Sequence, residues 1–221
     1  MIYRCSRKPF VQTQHSGTSN FPDPGTARAN VAATPSHPNG TTQDDWAARH
    51  SRQTVLQQHC EFFDSDHDGV IWPIDTYVGF RALGFNLLLS IVSVFIIHLN
   101  LAYPTSPTWI PDPFSRIWTA RIHKSKHGSD TGTNDTEGRF MPQHFEDVFA
   151  KYVPEGQDGL TWDDVLKMLK GQRLVGDPIG WFGAFFEWMA LYLMLWPEDG
   201  IMRKDDIRRI YDGSLFYEKG A

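Results

Sequence analysis

Asp64, Asp66 and Asp68 stand at positions 1, 3 and 5 of a twelve-residue run that ends at Asp75, with Gly69 at position 6 and Val70 at position 7. Hard carboxylate oxygens at that spacing wrap one Ca2+, the glycine permits the sharp turn, and residue 7 offers its backbone carbonyl. Ile71 is the β-branched apolar residue at position 8, and Trp72 at position 9 has only a carbonyl or a water to give. The run predicts one calcium site made by Asp64, Asp66, Asp68, the Val70 carbonyl and Asp75. It departs from the pattern at position 12, where Asp75 replaces the usual bidentate Glu. The shorter arm reaches the ion through one oxygen or not at all. Two echoes follow, Asp158-Gly159-Leu160 with Asp163 and Asp164, and Asp199-Gly200-Ile201 with Asp205 and Asp206. Pro154 and Gly156 in the first, and Leu195 and Pro197 in the second, fill positions 1 and 3, so both are expected to be structural remnants without an ion.

The nine histidines are the other candidate ligands. His15, His37 and His50 fall in or beside a polar N-terminal segment; His67 and His144 read as solvent-facing. His98 is a polar residue inside an apolar stretch, either hydrogen-bonded within the fold or marking a cavity. His59 ends the helix before the Asp-rich loop, and His123 and His127 are four apart in a Gly- and Ser-rich stretch. Cys5 and Cys60, the two cysteines, lie in segments of different composition, which rules out a disulfide scaffold and a zinc pattern.

Elements must position these groups, and 221 residues that are 41% hydrophobic suffice for a core. A formal charge of −5 leaves no cationic surplus for a phosphate backbone, so no nucleic-acid partner is expected. Met1 to about Asp44 is rich in Ser, Thr, Asn, Gly and Pro and is read as a disordered tail. It lacks an apolar h-region, so no secretory signal is expected and the protein should face the cytosol. Amphipathic patterning predicts helices over Trp46–Phe63 and Thr76–Phe85 around the Asp-rich loop. Leu83–Tyr103 has no formal charge over nearly the length that crosses a hydrocarbon core. Prolines at 104, 107, 111 and 113 then enforce an extended or turned path, with Trp109, Trp118 and basic residues at 116, 121, 124 and 126 nearby, as a lipid interface favours. Further helices are predicted over Phe140–Tyr152, Leu160–Leu169, Gly180–Trp196 and Lys204–Tyr211. Glu187 is the one charge in the apolar run 180–196. No strand of useful length is visible.

Segments in a particular order carry a family likeness: LQQHCEFFDSDHDGVIWPIDTYVGFRALGFN, then YPTSPTWIPDPF after an apolar stretch, IHKSKHGSDTGTNDTEGRFMP, and IRRIYDGSLF. Across roughly Leu56 to Phe216 the chain resembles the caleosins, calcium-binding haem peroxygenases of lipid droplets. The resemblance implies a mainly α fold: an EF-hand-like helix-loop-helix over 46–82, a membrane-associating apolar segment with a proline knot over 83–115, and a C-terminal helical region over 116–221 with degenerate EF-hand-like loops, behind a disordered tail over 1–45. It implies that His59, in the LQQH segment, and His127, last in HKSKH, bind haem b and serve catalysis, with Ca2+ as second cofactor.

The implied reaction moves one oxygen atom from a fatty-acid hydroperoxide to an unsaturated fatty acid, giving an epoxide, or to another acceptor. The implied surroundings are a phospholipid monolayer or membrane surface, at lipid droplets and the endoplasmic reticulum. Two axial histidines would block both iron faces, so one must leave or act as an acid-base group. The competing reading is a non-enzymatic, calcium-responsive structural or docking protein of lipid droplets.

Overall fold

A computed structural model of the chain describes residues 25–220. Among them the fold is mainly helical: α1 Trp46–Arg49, α2 Val55–Glu61, α3 Pro73–Ala82, α4 Leu87–Thr105, α5 Pro142–Tyr152, α6 Trp162–Gln172, α7 Pro178–Leu195, α8 Lys204–Tyr211 and α9 Ser214–Lys219. Four strands of two or three residues pair as two antiparallel ribbons. β1 (Val70–Ile71) meets β2 (Ile117–Trp118), with Ile71 opposite Ile117. β3 (Gly159–Thr161) meets β4 (Ile201–Arg203), with Leu160 opposite Met202. The alternation that signals a strand cannot be read over two or three residues. These strands exist because a distant partner completes their hydrogen bonds.

Local chemistry sets the helix boundaries. The predicted helix over Trp46–Phe63 is broken into α1 and α2, because Thr54 and Gln57 form a reciprocal cap that starts a new helix at Val55. Asn86 caps α4, its side-chain oxygen accepting from the Leu89 amide at 2.9 Å, so α4 starts four residues later than the apolar run. Pro104 lies in the last turn of α4, and no regular element follows before β2. Thr161 and Asp164 form the same kind of box at α6. Short α9 carried no sequence signal.

The disordered tail expected over 1–45 is corrected over its described part, and residues 1–24 lie outside the described residues. Ala32 and Ala33 are buried, Arg28 and Phe140 exchange backbone hydrogen bonds at 2.6 and 2.7 Å, and the Thr41 hydroxyl donates to Asp212 at 2.7 Å. Composition misses this packing because the segment buries small side chains and satisfies its polar groups against the fold rather than supplying large apolar residues. Arg208, 2% exposed, completes the clasp by reaching Thr41 at 3.0 Å and pairing with buried Asp212 at 3.4 Å.

The main core joins α5, α6, β3 and β4 through Phe140, Phe145, Leu160, Val165, Met168 and Met202, with Val55 of α2 inserted. A second cluster gathers Cys60, Ile71, Ala102, Ile117 and Ile122, so the ribbon β1–β2 ties α2 and α4 together. Two helices, α4 and α7, are long and apolar enough to cross a membrane. In α4 the usual order is inverted. Leu88, Val92, Phe95, Leu99 and Tyr103 lie exposed along one face, whereas Ser90, His98 and Thr105 are buried. Ser90 and Thr105 turn their hydroxyls onto the carbonyls of Asn86 and Leu101, which allows polar side chains to sit inside.

Candidate functional site

The Asp-rich loop joins α2 to α3. Carboxylate oxygens of Asp64, Asp66 and Asp68 come within 4.8 Å of one another, near enough for one cation. His67 and Gly69 take left-handed backbone angles, φ 56° and 83°, which fold the three carboxylates inward. Asp64 is buried; its Oδ2 accepts from the Gly69 amide at 3.0 Å while its Oδ1 has no hydrogen-bond partner. Burial pushes the Asp64 carboxyl up from its usual range. A buried carboxylate oxygen with an open lone pair suits a hard cation. Asp75 stands apart from this group: its Oδ2 accepts from the Trp72 amide at 2.8 Å and caps α3. In the echo loops the acids serve structure. Arg203 pairs with Asp158 and Asp199, tying the two loops together beside the β3–β4 ribbon, and Asp164 caps α6.

His59 and His127 line one cavity of about 180 Å3. They meet because α2 packs against both the 3-10 turn Thr119–Ser125 and α8. His59 Nδ1 lies 2.7 Å from the Ile210 carbonyl, and since a carbonyl only accepts, Nδ1 carries the hydrogen. Burial lowers the His59 pKa, partly offset by that hydrogen bond, so the ring is held neutral with its lone pair on Nε2. A backbone carbonyl on one ring nitrogen and a free lone pair on the other is how a metal-bound histidine is oriented. His127 Nδ1 is buried without a hydrogen-bond partner, 3.8 Å from Asp177, whose Oδ2 is taken by Ser129.

The other histidines are spoken for or stand elsewhere. His98 spans the Thr76 hydroxyl at 2.8 Å and the Ser115 carbonyl at 2.6 Å, and His50 spans the Trp46 carbonyl and Glu61. His144 donates to the Gly132 carbonyl, His37 faces Asp205, and His67 is exposed beside Glu61. His123 lines neither cavity at this site. His15 lies outside the described residues.

A second cavity, about 310 Å3, adjoins the first, and His59, Glu187, Asn134 and Tyr211 line both. Burial raises the Glu187 carboxyl, with nearby His127 working against it, and raises the Tyr211 phenol, whose hydroxyl lies 3.0 Å from Thr131. Cys60, beside His59, is pushed up to about 12 by burial and holds its proton at neutral pH. Glu187 carried a sequence signal, a lone charge in an apolar run. Tyr211 and Asn134 carried none, being ordinary residues of an amphipathic helix and a polar loop.

Two imidazoles lining one cavity, one of them fixed through Nδ1, with polar side chains of Ser125, Lys126 and Gln172 around it, are the donor types that would hold a haem and its carboxylates. A family model described as "Caleosin related protein" matches residues 51–219. The chain is 46% identical over 193 residues to "Peroxygenase" of Lilium longiflorum, covering 87% of this chain and 79% of that one. It is 38% identical over 166 residues to "Probable peroxygenase 4" of Arabidopsis thaliana, covering 73% and 83%. A third relative, "Probable inactive peroxygenase-like protein" of Arabidopsis thaliana, is 31% identical over 144 residues, covering 63% and 67%. No solved structure matches the chain. With a family model spanning most of its length and relatives of this similarity, the chain belongs to the caleosin family.

Proposed function

We propose that this protein is a haem-dependent peroxygenase that moves one oxygen atom from a fatty-acid hydroperoxide to an unsaturated fatty acid, or to another acceptor, at a phospholipid surface. The observation that carries this is the meeting of His59 and His127 on one cavity, with His59 Nδ1 committed to the Ile210 carbonyl. Relatives named peroxygenase support the activity. When bound, haem b supplies the iron chemistry that cleaves an O–O bond and delivers oxygen. His59 would hold it through Nε2, in the tautomer that the Ile210 carbonyl sets. His127 would serve as the acid-base group, holding or releasing a proton at its Nδ1, which is buried without a hydrogen-bond partner. Ser125, Gln172 and Lys126, the last already paired with Asp130 at 3.1 Å, would give polar partners to haem carboxylates.

The helix–loop–helix α2–α3 is read as an EF-hand-like unit that takes Ca2+ through Asp64, Asp66, Asp68 and the Val70 carbonyl, supported by the orphaned Asp64 Oδ1. Residues 104–113 are read as the proline knot. Its exposed Trp109 and Ile110, with the apolar stripe of α4, enter one phospholipid leaflet of a lipid droplet or the endoplasmic reticulum while the rest faces the cytosol. That stripe also favours a second reading, a calcium-responsive droplet coat without chemistry.

A Soret band and epoxide formation, measured on protein expressed with ample haem, test the proposal. Wild type is expected to show both, His59→Ala to lose most of both, and His127→Ala to keep most of the band while losing most activity. A wild type without the band that still coats droplets hands the function to the second reading.

A further inference from the structure

The two adjoining cavities differ in chemistry. His127, Lys126, Asp130 and Ser129 line the smaller one alone. The larger is walled mainly by apolar side chains, among them Phe80, Leu83 and Ile97 from α3 and α4 and Leu191 and Met194 from α7, and no Lys or Arg reaches it. Apart from Thr76, its polar groups, His59, Asn134, Glu187 and Tyr211, also line the smaller cavity. It runs between the two long apolar helices, and Ile97 and Leu101 face it from α4 while Leu88, Phe95 and Leu99 of that helix face outward.

We propose that the larger cavity is the acyl-binding site of this protein: it holds the hydrocarbon end of a fatty acid, leaves the carboxylate outside, and presents the chain to the wall carrying His59. This rests on the peroxygenase reading for its purpose, though not for its geometry. An unpaired carboxylate in an apolar cavity loses its hydration, and no Lys or Arg among the described lining residues offsets that loss. A hydrocarbon chain there is favoured by every methylene it removes from water. The volume lies at the lower end of the range for pockets that bury a small ligand, which suits a segment of chain rather than a whole lipid.

The test uses two eighteen-carbon fatty acids on purified wild type, one with a diazirine near the methyl end and one with it beside the carboxyl, with labelled residues mapped by mass spectrometry. The methyl-end probe is expected to label residues around Leu83 and Ile97, and the carboxyl-end probe to label outside the cavity. Labelling confined to the exposed face of α4, at Leu88 or Phe95, or the reverse pattern of the two probes, overturns the proposal. Leu83→Trp and Ile97→Trp, which fill the larger cavity only, should weaken binding of a fluorescent fatty acid at least tenfold while the Soret band persists. Unchanged binding overturns the proposal, and so does loss of the Soret band in a variant whose circular dichroism is unchanged, because the space would then belong to the haem. Wild type that shows no Soret band but gives the expected labelling defeats the peroxygenase reading and leaves the acyl site standing. Haem-loaded protein that is never labelled inside the cavity does the opposite.

Discussion

The Nδ1 of His59 donates to the carbonyl oxygen of Ile210 at 2.7 Å, so the last turn of α8 sets the tautomer and direction of a ring on α2. The turn that follows is equally close. At Gly213, φ is +75° and an added Cβ would stand 2.5 Å from the Gln58 carbonyl oxygen and 3.1 Å from the Cα of His59.

Gly213→Ala therefore strains the backbone and pushes α8 away from the helix carrying His59. A loss of about 2–4 kcal/mol is expected, read as a fall in Tm of roughly 4–16 °C by calorimetry, with a weakened Soret band. Gly156→Ala is the control, with a comparable φ of +83° but nothing within 4 Å of the new Cβ. It should lower Tm by less and leave the spectrum alone.

In the Asp-rich loop, Asp64 and Asp75 should separate by role. Calorimetric titration with Ca2+ is expected to show binding abolished in Asp64→Ala, whose buried carboxylate belongs to the cluster. Asp75→Ala should retain binding but lose about 0.5–2 kcal/mol of stability with the α3 cap. Asp75→Glu should bind more tightly, because the longer arm reaches the ion with two oxygens. Equal Ca2+ affinity in Asp64→Ala and wild type would remove the site.

Chelating calcium should lower peroxygenase activity while leaving much of the haem in place. Ile71, just past the Asp cluster, pairs with Ile117 in the β1–β2 ribbon, and both line the larger cavity rather than the one shared with His127. A chelator that strips the Soret band and the activity in parallel would show that the loop supports the haem directly.

Alkaline stability should reveal Cys60. The unfolded thiol ionises near 9.0, whereas burial raises it to about 12 in the folded chain, so above the first value the unfolded state sheds a proton that the folded state keeps. Wild type should lose about 1.4 kcal/mol per pH unit relative to Cys60→Ala across that window, with no difference below it. Denaturant titrations of the two proteins at matched pH measure this. Parallel stability curves would place Cys60 in contact with solvent.

Lipid docking should depend on the outward face of α4 and on the loop after it. Phe95→Asp and Trp109→Ala, at positions 63% and 93% exposed, should each weaken binding to phospholipid-coated droplets roughly tenfold or more without changing Tm. Flotation assays decide it. Unchanged flotation in the double variant would free that face from any lipid role.

The sequence by itself determined the local chemistry. Carboxylate spacing marked the loop at Asp64–Asp68, patterning over Leu160–Leu169 marked α6, and the uncharged run before Pro104 marked a long apolar helix, because each signal lies within a few residues of its own consequence. Tertiary structure alone decided what those residues face. Asp75 turns to the Trp72 amide, three residues away, rather than to the cluster at Asp64–Asp68. Ala32 and Thr41 dock onto a core whose other half lies at Met202 and Asp212. His59 and His127 share a cavity because α2 is wedged between the turn before His127 and α8. Such partnerships are made across the fold by packing and by the need to satisfy buried polar groups, and neither leaves a periodic trace in the residues that take part.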